Sequence, residues 1–300
     1  MLNVERLRVL WAVANHGAVG LAARNLHVTT SAVSQQIDKL EREVGQELVV
    51  RQGRGVRLTD AGRLLAEHAR DILSRMEQAE ADLAAQQGSA FGWLTVGAFP
   101  TAARGLMPQA LARLRRRHPG LTISLRELEP EWAVTELQRG DMDLALVLDW
   151  ATRPLALSPE LRRIGLMTDL IDVALPAGHR LAGKAELDLA DLAAEPWIAW
   201  PQGEMCREWL ETTLHAMELR PRIAHTAGEH QTQLALVAAG LGVAVAPRLG
   251  RHPVPEGVVL VPVRDSLRRN IQVAWRADSE ARPSVAATVQ VLQEVARTPE

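Results

Sequence analysis

Apolar positions in the first forty residues recur at helical spacing in three short blocks, each backed by polar positions. Leu7, Leu10, Trp11 and Ala14 give a packing stripe to a first helix over residues 2–16. Leu21, Ala22, Ala23 and Leu26 form the second block. The pattern breaks from Asn25 to Val28, and the third block sets Val33, Ile37 and Leu40 on one inner face. Two short helices joined by a tight turn are expected there. Leu48-Val49-Val50-Arg51 and Val56-Arg57-Leu58 then flank Gln52-Gly53-Arg54-Gly55, which reads as a hairpin with Arg at its tip. From Thr59 to Gln87 there is no Pro, and after Gly62 no Gly, so one long helix follows. Along it Leu65, Ala69, Ile72, Met76, Ala79 and Leu83 alternate spacings of four and three, the seam of a coiled coil. Gln86 to Gly92 reads as a hinge.

Beyond the hinge, strands and helices alternate. Strands are expected at Trp93–Phe99, Leu121–Leu128 and Asp143–Leu148, with helices from Pro100 to about His118 and from Glu131 to Arg139. A second half repeats the order. Its strands lie near Leu170–Pro176, Trp197–Trp200, Ile223–Thr226 and Gly242–Ala246, its helices near Glu204–Met217 and Gln231–Ala239. The strand Asn270–Trp275 and the helix Pro283–Ala296 come last. This is the pattern of a doubly wound α/β fold in two halves.

The outward face of the third amino-terminal helix carries Thr30, Ser31, Ser34, Gln35 and Lys39. Short polar groups near a helix start with longer ones behind suit base edges and phosphates in a DNA major groove. A helix-turn-helix followed by a hairpin wing presents such a face, and Arg51 and Arg54 on the hairpin are placed for the minor groove. Charge agrees with this. Up to Leu58 the chain has eight Arg and Lys against five Asp and Glu, whereas the whole chain carries −2, so the positive excess belongs to the DNA-reading end.

These residues resemble the amino-terminal domain of LysR-type transcriptional regulators. The resemblance is carried by the helix Val4 to Ala14 with Gly17, Ala22-Ala23, Leu26-His27-Val28, Ser31 to Ile37, Leu40-Glu41, Gly45, Leu48, Leu58-Thr59 and Ala61-Gly62. Val50, Ser31 and Gly20 depart from it, standing where the family commonly has an aromatic, a Pro, and Ser or Thr; the last leaves the second helix without an ordinary cap at that position. Gly140 to Ala145, Leu175 to Leu181 and Ala239 to Pro247 resemble the same family's effector domain. The resemblance implies a winged helix-turn-helix over residues 1–58, a dimerising linker helix over 59–89, and a two-lobed α/β domain over 90–300, similar to periplasmic binding proteins. Lobe I would comprise about 92–162 and 268–300, lobe II about 163–267. Leu65, Ile72, Met76 and Leu83 would pair two protomers, and the family's habit of also pairing effector domains implies a homodimer or homotetramer. The expected partners are a double-stranded operator and a small-molecule effector.

Open α/β sheets bind ligands beyond the carboxyl ends of their strands, where helix amino-termini face the crevice. The turns Phe99-Pro100-Thr101-Ala102 and Trp200-Pro201-Gln202-Gly203 are the matching places in the two halves. By analogy with the family, Thr101, Trp150, Trp200, Gln202 and Thr226 are the expected lining of the effector site, with Arg104 as a counter-charge.

Other classes find less support. No Gly-rich phosphate loop precedes a Lys-Ser/Thr pair, and His225, Glu229 and His230 have no defensible metal spacing. Neither a catalytic site, a metal nor a cofactor is expected. Cys206, adjacent to Arg207 at a helix start, is either a reactive thiol or a buried inert one. A stand-alone solute-binding protein would need export, and the start Met-Leu-Asn-Val-Glu-Arg has no signal-peptide pattern. An architectural DNA-binding protein would leave the α/β domain without a task. With no apolar run of about 20 residues to cross a membrane, a cytoplasmic location is expected.

Overall fold

The computed structural model describes residues 2–26, 28–52, 55–86, 90–150 and 152–297. Contacts divide the chain into two units, Met1–Ser89 with Ala281–Pro283, and Ala90–Glu280 with Ser284–Glu300.

The first unit contains α1 (Val4–His16), α2 (Val19–Asn25), α3 (Thr30–Val44), the antiparallel pair β1 (Val49–Gln52) and β2 (Gly55–Leu58), and α4 (Asp60–Gln86). Leu7, Leu10 and Val13 of α1, Ala22 and Ala23 of α2, and Val33, Ile37 and Leu40 of α3 share one core with Leu48, Ala66 and Ala69. Helix α2 begins after Ala18, which supplies no side-chain cap. The junction into α4 is tightly built. The Thr59 backbone N–H donates to Leu48 O at 2.9 Å, and the Thr59 hydroxyl accepts from the N–H of Gly62 at 2.9 Å while donating to Glu47 O at 2.7 Å. Gly62 is needed there, since a Cβ would lie 2.0 Å from Leu48 O.

In the second unit, β3 (Gly92–Ala98), α5 (Pro100–Gly105), α6 (Met107–Arg117), β4 (Leu121–Glu127), α7 (Pro130–Arg139) and β5 (Leu144–Trp150) alternate, with β3 parallel to both β4 and β5. Then come β6 (Leu161–Pro176), β7 (Pro196–Ala199), α8 (Met205–Ala216), β8 (Arg222–Thr226), α9 (His230–Ala238), β9 (Ala244–Pro247), β10 (Val258–Arg276) and α10 (Pro283–Ala296). The six-stranded sheet has the order β4-β3-β5-β10-β6-β9, and β7 and β8 pair in parallel beside it. Strands β6 and β10 run antiparallel from Leu161↔Arg276 to Pro176↔Val258. One end of β10 pairs with β5 and the far end of β6 with β9, so these two strands cross from one α/β lobe to the other.

Two expectations are revised here. The helix from Pro100 to His118 is two helices, broken at Gly105-Leu106: Pro108, in the first turn of the second, has no N–H to continue the ladder, and the loop after β9 packs on α5, where a Cβ on Gly105 would meet Leu249 and Gly250 at 2.6 and 2.8 Å. The strands expected at Leu170–Pro176 and Asn270–Trp275 are parts of β6 and β10. The other half of β6, with Arg162, Arg163 and Gly165, lacks alternation and owes its extended form to pairing with β10; that of β10, Val258-Val259-Leu260-Val261-Pro262-Val263, is a largely β-branched run legible as strand that sequence reading missed.

Gly62→Ala is expected to destabilise the first unit by about 1–3 kcal/mol, the usual range for overpacking a tight site. Thermal unfolding checks this, and an unchanged melting temperature would show that Leu48 yields without cost.

Candidate functional site

The polar face of α3 is held by contacts on its other side. Thr29 caps the helix, its hydroxyl accepting from the N–H of Ala32 at 3.2 Å. Arg6 of α1 donates to Gln36 at 3.3 Å and pairs with Glu43, so these two polar residues face α1. Glu41 Oε1 accepts the backbone N–H groups of Leu48 and Val49 at 2.7 and 3.1 Å, which fixes the start of β1 against α3. Thr30, Ser31, Ser34, Gln35 and Lys39 are left exposed together. Arg51 stands in β1, but its side chain, like Arg54 as a whole, lies outside the described residues.

Along α4 the apolar seam divides in two. Leu65 packs against the core of its own unit beside buried Ala66 and Ala69, since α1 covers that face. Farther on, Ile72 and Met76 are 38% and 40% exposed, bordered by His68, Asp71, Arg75 and Ala79. The Leu83 side chain lies outside the described residues.

The second unit has its own polar centre where β6 and β10 cross. Arg269 of β10 donates to Asp169 of β6 at 2.9 Å and to the Thr101 hydroxyl at 2.8 Å, and lies 5.3 Å from the Phe99 ring centre. All three charged or polar partners are buried. Asp169 also accepts the N–H of Leu249 at 2.9 Å, which draws the loop after β9 onto α5. Gly250 sits there with φ +63°, and a Cβ on it would meet Thr101 O at 2.2 Å, so glycine is required. Arg104 donates to Gly250 O at 2.5 Å and reaches Glu229 at 3.4 Å. Glu229 in turn caps α9 through the N–H of Thr232 at 2.8 Å.

Between the lobes, the start of α7 meets the start of α8. Glu129, Glu131 and Leu148 from one side and Glu204, Met205 and Cys206 from the other line a narrow cavity, with Pro130. None of the three carboxyl groups has a hydrogen-bond or ion-pair partner among the described residues. Burial, then the neighbouring Glu204, Glu131 and Glu127, push the Glu129 carboxyl from 4.5 to about 7, with Arg269 opposing. Burial and Glu131 also raise Glu204. Burial pushes the Cys206 thiol up to about 12, so it stays protonated at neutral pH, and the reading of an inert thiol prevails over the reactive one. Beside them the indole of Trp150, at the end of β5, stacks on Trp209 of α8 at 3.5 Å and 10°.

The expected lining residues are therefore differently placed. Thr101 and Arg104 already bond within the protein. Trp150 is buried beneath Trp209, and Trp200 is buried with its edge against His230 at 5.2 Å. Gln202 and Thr226 are exposed. Burial, with Arg269 and Arg104 adding to it, lowers His230 to about 3, so its imidazole is neutral. Sequence reading missed Arg269, Asp169, Glu129, Glu204 and Trp209. A signal existed for one pair: Asp169 interrupts an apolar strand with no local counter-ion, which calls for a distant cation.

A winged helix-turn-helix followed by a two-lobed α/β domain defines a ligand-responsive DNA-binding protein. Residues 4–63 match the model of bacterial regulatory helix-turn-helix proteins of the lysR family, and residues 87–297 match the LysR substrate binding domain. The chain belongs to the LysR family: it is a DNA-binding transcriptional regulator modulated by a small-molecule effector. It is 30% identical over 295 residues to a probable transcriptional regulator LrrA of Synechococcus elongatus, covering 98% of each chain. With the transcriptional activator IlvY of Salmonella typhimurium it shares 32% identity over 280 residues, covering 93% of this chain and 90% of that one. Full-length OxyR of Pseudomonas aeruginosa, a variant form, has the same fold, with a TM-score of 0.72, 23% identity, and coverage of 99% and 95%. Among the described residues no helix is long and apolar enough to cross a membrane, and no group of three or more His, Cys, Asp or Glu is placed to hold a metal.

Removing one member of a buried pair leaves an uncompensated charge, at a cost of about 3–5 kcal/mol. Arg269→Met is expected to destabilise the second unit by that amount, and Arg269→Met with Asp169→Leu by much less; urea unfolding of the two variants checks the difference.

Proposed function

We propose that residues 1–58 read a two-fold related operator through Thr30, Ser31, Ser34, Gln35 and Lys39, while Arg51 and Arg54 follow the adjacent backbone or minor groove. The observation that carries this is the exposure of all five side chains along α3 while Arg6 ties the helix to α1 and Glu41, near its end, ties it to β1. Residues 59–89 pair two protomers through Ile72, Met76 and Leu83, with Leu65 supporting the helix from within its own unit. That spacing of two recognition helices is what reading two half-sites requires.

Residues 90–300 take the effector between the lobes, at the turns of Thr101 and of Trp200 and Gln202: Gln202 and Thr226 are exposed to it, Thr101, Trp150 and Trp200 form the buried wall behind, and Arg104, whose Nη2 has no partner among the described residues, is the counter-charge. Ligand binding shifts the regulator only so far as it prefers one arrangement of the lobes over another. The protein acts in the cytoplasm as a homodimer or homotetramer, and is not an enzyme.

Selection of bound DNA from a random pool at physiological salt tests the first part: enrichment of an inverted repeat supports it, and salt-sensitive binding with no motif overturns it. Gln35→Ala is expected to reduce discrimination at one operator position by about 1–3 kcal/mol if it removes a good base contact. The same ratio of affinities for matched and mismatched operators in Gln35→Ala as in wild type would remove Gln35 from the reading face. Ile72→Asp is expected to shift the oligomer toward monomer in sedimentation at low concentration, and a variant as dimeric as wild type would assign pairing to other surfaces.

A further inference from the structure

We propose that Glu129 is a proton-operated latch between the two lobes: protonated it allows α7 and α8 to close on one another, and ionised it drives them apart. The idea rests on the reading of this domain as effector-responsive for its consequence, but on geometry for its existence.

Glu129 immediately precedes α7 in one lobe, and Glu204 immediately precedes α8 in the other. Both line the same narrow cavity, and neither has a partner among the described residues. The groups that face Glu129 are Glu127 from β4, Glu131 from α7, Glu204 and the protonated Cys206 thiol from α8, and Arg269 from β10. Arg269 does not relieve the crowding, being held by Asp169 and Thr101. Three nearby carboxylates and loss of solvent oppose one occupied cation. The lobes meet at this seam through the Trp150–Trp209 stack and the ion pair of Arg153 with Glu208, so separating α7 from α8 would return Glu129 to water.

The direction follows from linkage. In the closed form the Glu129 carboxyl sits near 7, and in an opened, solvated form near its ordinary 4.5. Closure is therefore fully favoured below about 4.5, weakens by up to tenfold per pH unit between 4.5 and 7, and is constant above that. A regulator carrying this latch closes on acidification, and its effector would bind the closed form more readily as pH falls.

Cys206, the single cysteine, reports the opening because it lies within the same cavity. We would follow its reaction with an aromatic disulfide reagent in the full-length protein, without DNA or effector, from pH 5 to 8.5. A thiolate forms tenfold more readily per pH unit below its pKa, so the logarithm of the rate rises with unit slope from that cause alone. Wild type is expected to show a slope approaching two below pH 7 and one above it. Glu129→Gln is expected to show unit slope throughout, and Glu204→Gln to move the bend to lower pH. Unit slope in wild type, or the same profile in wild type and Glu129→Gln, would overturn the latch. Operator selection is independent of this measurement, so the failure of either idea leaves the other standing.

Discussion

The buried pair of Arg269 and Asp169 lies at the crossing of the two strands that join the lobes, and the geometry of the second unit follows from satisfying it. Taking both charges out of water is costly, so their remaining hydrogen-bonding capacity must be met. Arg269 meets its share at Thr101 and against the Phe99 ring; Asp169 meets its share at the N–H of Leu249. Those contacts bind β10, β6, α5 and the loop after β9 to one point. The requirement for glycine at Gly250 and Gly105 is a consequence of drawing that loop so close to α5.

The same arrangement sets the charge of the cleft. Arg269 is fully engaged and Arg104 partly so by protein groups, while Glu129, Glu131 and Glu204 meet in the cavity with no partner among the described residues. Helices α7, α8 and α9 all begin just after a glutamate, yet only Glu229 caps its helix. Among the described residues, the start of α7 and the start of α8 are thus bordered by carboxyl groups, while Arg104, beside Glu229, keeps one buried Nη2 without a partner. A site of this character responds to protons and to the charge of whatever enters it, because carboxyl groups crowded together and partly removed from solvent are costly to ionise.

In the first unit a few polar contacts do the positioning. Apolar packing orients α3 only about its axis; Arg6 and Glu41 fix its place relative to α1 and β1. Glu41 is especially informative, since one carboxylate oxygen serves two consecutive backbone donors at the start of the strand. Among the described residues the reading face makes no side-chain bond apart from the Thr29–Ser31 contact at 2.9 Å, leaving Ser34, Gln35 and Lys39 to outside partners.

What the sequence determined by itself was local. Helical spacing at Leu7, Val33 and Ile37, alternation near Val49 and Val56, and the uninterrupted stretch after Gly62 specified the elements of the first unit, because each depends on residues a few positions apart. The exposed face of α3 was legible for the same reason. Tertiary structure alone decided the rest. The outer half of β6, Leu161 to Thr168, has no strand pattern and is extended because β10 supplies its hydrogen bonds from a distant part of the chain. It also placed Glu129 beside Glu204 and Trp150 on Trp209, and turned Thr101 inward to Arg269. Those meetings join residues far apart in the chain, and spacing along a sequence carries no information about which distant charges will share a cavity.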